Sequence, residues 1–374
     1  MKIKALFLAF MLVLALPVSA AAAEADPSEG DFADLVSQLD RAMAEGYGGL
    51  SLQDLYDDFK TSGYDLSSLP ESLWQALTAD MRLFATILGE LLILGIFAAV
   101  FDSLKRDKDG IAGAGHWIIL LSFSLVAAKC FGEVLTMATE TIDLAADFLY
   151  GLLPLLLGFL ATGGSVTSLT VAQPTLLFFI TIFLGLMDRF FLPLVLILAA
   201  LVIVGHLAPK YSFKELQKLI RDVILIALTF VMTIFTAILS LVGLGAGAMD
   251  GLALKTAKLA AGNFIPLVGR HISDALDSLL GASLLMKNTI GIFGVIAILV
   301  VIIVPAIKIL LTSLLFRAVG ALLEPLGAGE FSAMLRDFAS SLTVVFALVA
   351  ATGIIFFFFV FILVGLGNLT MMFR

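Results

Sequence analysis

Eight stretches of this chain are apolar for long enough to bridge a bilayer, and that constraint removes most folds. They lie at about 81–104, 115–136, 142–162, 172–187, 190–207, 221–246, 290–316 and 338–367. At about 1.5 Å of rise per residue, roughly 20 helical residues cross a hydrocarbon core about 30 Å thick. Backbone N–H and C=O groups must be satisfied inside lipid, and a helix satisfies its own. With 61% hydrophobic residues, 14% charged residues and a mean hydropathy of +1.11, too little polar material is present to enclose a core in water. The expected fold is all-α: a polytopic helical membrane protein with a cleavable signal peptide and a short extracytoplasmic helical segment before the spans.

Residues 1–23 have the make-up of a secretory signal peptide. Lys2 and Lys4 precede the apolar run Ala5–Leu16, and Val18-Ser19-Ala20 fits a small-residue cleavage site, with Ala22 or Ala23 as alternatives. Residues 24–80 then form an acidic extracytoplasmic helical segment, with thirteen Asp/Glu against two Lys/Arg. Phe32, Leu35, Val36, Leu39 and Met43 make a stripe at helical spacing, and Ser51 with Asp54 resembles a capping box opening a second short helix. Trp74 sits where an interfacial aromatic is expected before residues 81–374, the polytopic domain. This segment is expected to rest on the membrane domain as a helical hairpin or to dock an extracytoplasmic partner.

Charge orients the spans. Lys105, Arg106 and Lys108 follow the first span, and Lys210, Lys214, Lys218 and Arg221 follow the fifth. The positive-inside rule places both loops in the cytoplasm. With an exported N-terminus, an odd number of crossings must precede each. That favours two spans over 172–207, divided at Asp188-Arg189, over one broken helix, and it puts the segment 252–288 and the C-terminus outside. The net charge of −8 arises in the N-terminal segment, and nothing offers the basic face that nucleic acid requires.

No nucleotide-binding, metalloprotease or nucleophile-elbow motif occurs, and His116, His206 and His271 form no metal-ligand spacing. No cofactor or enzymatic activity is expected, and the single Cys130 excludes an intrachain disulfide. The notable polar groups lie within the spans: Glu90, Lys129 with Glu133 one turn later, Asp143, Asp147 and Lys308. Ionisable groups at that depth cost on the order of several kcal/mol unless paired or hydrated. Lys129 and Glu133 can pair locally, and Lys308 can reach toward the interface near Arg317. Glu90 has no partner nearby in sequence and points to a polar interior or pathway. Gly243, Gly247 and Gly251 permit close helix contact, Gly327 and Gly329 read as a loop, and Phe356–Phe359 reads as lipid-facing bulk.

Between the sixth and seventh spans, residues 252–288 read as helix, break, helix, an amphipathic or re-entrant element. Lys255 and Lys258 precede the interruption Gly262-Asn263, Phe264 and Pro266 follow it, and after Gly269 and Arg270 a second helix carries Asp274 on its polar face. The run KTAKLAAGNFIPLVGRHISDALDSLLGAS, above all Gly262-Asn263-Phe264-Ile265-Pro266 and Gly269-Arg270, resembles the stage III sporulation protein AE family of endospore-forming bacteria. His271-Ile272-Ser273-Asp274-Ala275 departs slightly from the Thr-Asp-Ala pattern usual there.

The resemblance implies a subunit of a channel or secretion-like complex between mother cell and forespore, in the mother-cell membrane that surrounds the forespore. The partners it implies are other stage III sporulation operon proteins, including a separate ATPase, and stage II sporulation protein Q. The alternative is a stand-alone secondary transporter using Glu90, Lys129, Asp143 and the 255–288 element.

Overall fold

The computed structural model describes residues 29–43, 47, 50–61, 69–104, 110–162, 166–208, 211–238 and 269–372. Among these the regular structure is entirely helical. The helices are α1 (Glu29–Met43), α2 (Leu52–Thr61), α3 (Leu69–Leu104), α4 (Gly110–Thr162), α5 (Val166–Leu186), α6 (Leu192–Leu207), α7 (Lys214–Ile238), α8 (Gly269–Leu323) and α9 (Gly329–Met372). Among the described residues, five stretches are long and apolar enough to cross a membrane: Gly115–Phe159, Gln173–Leu207, Lys214–Ile238, Thr289–Leu323 and Gly329–Gly365. A shorter apolar stretch covers Ala85–Phe101.

Two expected hairpins are absent. The spans predicted at 115–136 and 142–162 are both parts of the 53-residue α4. Met137–Thr141 contains no glycine or proline, so nothing there removes a donor or demands a left-handed conformation. The spans predicted at 172–187 and 190–207 are likewise one rod: α5 passes into α6 through a π-turn at Met187–Phe191. The Leu192 N–H donates to the Met187 carbonyl five residues back. That widened turn takes up the irregularity imposed by Pro193, which cannot donate to Arg189. Asp188-Arg189 therefore sits on an exposed helical bulge, not in a loop.

α8 and α9 form the central hairpin, and α4 packs along both. Their turn is a Schellman closure. Gly327, at φ +88°, donates to the Glu324 carbonyl and Ala328 donates to the Leu323 carbonyl, both at 3.2 Å. The expected plain loop at Gly327 is thus a helix cap. Just before it, Gly320 lets α9 approach closely: a β-carbon there would stand 3.2 Å from the Ser332 carbonyl. The phenylalanine run near the end of α9 is not lipid-facing bulk. Phe356 and Phe359 are fully buried, Phe356 against the edge of the Phe183 ring, and only Phe358 of the four is exposed.

The N-terminal segment is a helical hairpin packed on this bundle. Phe32, Val36, Leu39 and Met43 of the predicted stripe are buried. Ser51 caps α2 through the Asp54 N–H at 3.1 Å, and Asp40 of α1 accepts from the Leu52 N–H as well. Phe32 and Tyr56 meet Phe293 of α8 edge to face, with ring centroids 6.0 and 5.0 Å away.

Candidate functional site

Charged and polar side chains collect at one end of the bundle. His116 at the start of α4 lies 3.1 Å from the Glu330 carboxylate at the start of α9. His206 at the end of α6 lies 3.6 Å from Asp337, two turns further along α9. Gln217 of α7 donates to the Leu201 carbonyl of α6 at 2.9 Å, closing the α6–α7 hairpin. Arg336 pairs with Glu324 at 2.7 Å. A cavity of about 360 Å³ lies among His206, Tyr211, Lys214, Gln217, Glu330 and Asp337. The structure thus brings the start of α4, the end of α6, the start of α7 and the α8–α9 turn to a common level. These are the ends that flank both basic loops.

About 30 Å along α8 from that end, the chain meets a second polar feature. Pro305 has no N–H, so the Val301 carbonyl four residues earlier has no intrahelical donor. The Tyr47 hydroxyl supplies one, at 2.8 Å. Burial pushes the Tyr47 phenol above its ordinary range, with nearby Thr141 opposing and Glu140 adding to the rise. The phenol therefore keeps its proton and remains a donor. Glu140, Asp143 and Asp147 line the exposed face of α4.

Of the residues singled out from the sequence, Lys255, Lys258, Gly262, Asn263, Phe264 and Pro266 lie outside the described residues, as do Gly243, Gly247 and Gly251. Gly269 opens α8, and Arg270 and Asp274 occupy its first turns, with side chains outside the described set. Lys129 and Glu133 do face each other on α4, but loosely, at 3.9 Å with side chains 76% and 38% exposed. Glu90 is exposed on α3 and faces no interior among the described residues. Lys308 does not reach toward the interface. It is 1% exposed in the middle of α8, one turn before the buried Thr312, whose hydroxyl donates to the Lys308 carbonyl.

Sequence reasoning missed the two histidine–carboxylate contacts. Each histidine stands alone in the sequence, and its acid lies on a helix more than a hundred residues away. One signal was available: Glu330 and Asp337 are seven apart at the start of an apolar helix, so they share a face.

A family model described as stage III sporulation protein AE matches residues 50–367. The chain belongs to the stage III sporulation protein AE family. It is also 31% identical over 359 residues to the Stage III sporulation protein AE of Bacillus subtilis (strain 168), covering 95% of this chain and 89% of that one. No solved structure matches. Membership of this family places the protein's role in sporulation, and its long apolar helices make it a multi-pass membrane protein. The family match takes in the 252–288 segment, the π-turn and all but the last turn of the α8–α9 hairpin.

Proposed function

We propose that this protein is a non-enzymatic integral membrane subunit of the sporulation channel complex between mother cell and forespore. It sits in the mother-cell membrane around the forespore and is needed for late forespore development. The single observation that carries this reading is a family match extending over nearly all of the polytopic body. Its partners are membrane lipid, the other stage III operon proteins including a separate ATPase, and stage II sporulation protein Q. A separate ATPase fits a chain without a nucleotide-binding motif. Lys255, Lys258, the Gly262–Pro266 break and the Gly269–Asp274 helix start form the candidate partner-contacting segment.

The two basic loops lie in the mother-cell cytoplasm. With α4 one rod and α5–α6 another, an even number of rods separates those loops, so both remain on one side. The exported N-terminal hairpin packs toward the other end of the bundle. The stand-alone transporter reading gains no support from the described residues, among which Glu90, Lys129 and Asp143 are exposed and enclose no site.

Deleting the gene is expected to block late forespore gene expression after normal engulfment. Alanine replacement of Asn263 together with Arg270 should reproduce that block while leaving the protein in the membrane. Normal spores from the deletion strain would overturn the proposal.

A further inference from the structure

Lys129 and Glu90 mark one depth on neighbouring helices. Phe101, near the end of α3, packs on Gly115, near the start of α4. Counting back along α3 and forward along α4 from that contact sets Glu90 level with Val126, within one turn of Lys129. Lys129 lies about 20 Å along α4 from His116 and about 16 Å from Glu140, beyond the reach of one lysine side chain in either direction. Both helices otherwise present apolar groups outward at this level: Ile93 and Phe97 on α3, Leu121 and Leu125 on α4.

The local partner engages this charge only loosely. Glu133 approaches Lys129 only to 3.9 Å through Oε1, while its buried Oε2 has no hydrogen-bond partner among the described residues. Glu90 forms no ion pair among the described residues, although Lys129 stands at the same depth on the adjoining helix. An outward acid and an outward base surrounded by apolar side chains are poorly matched to hydrocarbon. They are matched to each other across an interface.

We infer that copies of this chain associate in the membrane through α3 and α4, with Glu90 of one copy pairing with Lys129 of its neighbour. Copies in one bilayer share orientation and depth, so this acid and this base meet at the same level automatically. That coincidence singles out a second copy over an unrelated partner, whose charges would need independent placement. The exposed Ile93, Phe97, Leu121 and Leu125 supply the apolar contact around the pair. This inference rests on the helices spanning a membrane and does not depend on membership of the channel complex.

The test uses full-length protein in lipid nanodiscs, sized by single-particle mass measurement. Wild type is expected to be multimeric. Glu90→Lys and Lys129→Glu should each raise the dissociation constant at least about tenfold, and the double swap Glu90→Lys/Lys129→Glu should restore association. Independently, Cys130→Ala/Glu90→Cys/Lys129→Cys should cross-link into dimers on mild oxidation, while either single cysteine in the Cys130→Ala background should not form that product. Thermal midpoints near wild type certify that each variant is folded. A monomeric wild type, a multimer indifferent to both reversals, or a double swap without rescue would each overturn the inference. A monomer whose Lys129→Glu variant nevertheless fails to sporulate would overturn it too, and would assign the face to a different protein.

Discussion

The Tyr47 hydroxyl donates to the Val301 carbonyl, which Pro305 has deprived of its helical donor. One residue of the N-terminal segment thereby repairs the backbone of the central helix. Tyr47→Phe leaves that carbonyl buried and unmatched and should cost about 1–3 kcal/mol, seen as a lower thermal midpoint of the purified protein. In a Pro305→Ala background an intrahelical N–H becomes available, and the same substitution should cost clearly less. Equal costs in both backgrounds would show that the hydroxyl does not serve the proline gap.

Phe293 links α8 to both short helices through Phe32 and Tyr56. Phe293→Ala should remove about 3–5 kcal/mol of packing. The α1–α2 hairpin should then detach before the bundle unfolds. Limited proteolysis should clip the variant near residues 44–68 under conditions that leave wild type whole.

Gly327 holds the left-handed position of the cap between α8 and α9. Gly327→Ala should destabilise by about 1–2 kcal/mol, although open space surrounds the position. Gly329, which also has open space but no positive φ, should accept alanine with little change in midpoint.

The polar end offers a contrast between two ion pairs. Arg336–Glu324 is short but half exposed on both sides, so Glu324→Gln should shift stability by less than about 1 kcal/mol. His206 is only 10% exposed where it meets Asp337. Asp337→Ala should therefore cost more than Glu324→Gln and loosen α6 from α9, measured as faster labelling of a cysteine placed at Ser212 in a Cys130→Ala background.

Much of the fold was legible because hydropathy and helical spacing are local. The stripe Phe32, Val36, Leu39 and Met43 is buried as its periodicity required, and Ser51 caps α2 as its spacing with Asp54 indicated. The Lys129–Glu133 contact also follows from spacing along one helix, whereas its exposure does not. The candidate site was less legible, since Glu330 and Asp337 gain their meaning from histidines on α4 and α6. The Lys255–Pro266 stretch lies outside the described residues.

By itself, the sequence determined that this chain builds long apolar helices, carries an acidic helical segment ahead of them and resembles a sporulation family. Those properties reside in side-chain transfer energies, in one-turn spacings and in a short specific motif. Only the tertiary structure decided where helices stop. Pro193 interrupts none because a π-turn absorbs it, Pro305 interrupts none because Tyr47 serves the stranded carbonyl, and Gly327 does end one because its left-handed turn closes the last carbonyls. The physical reason is common to all three: a breaker ends a helix only when the backbone groups it strands are satisfied better elsewhere, and that partner can lie anywhere in the chain.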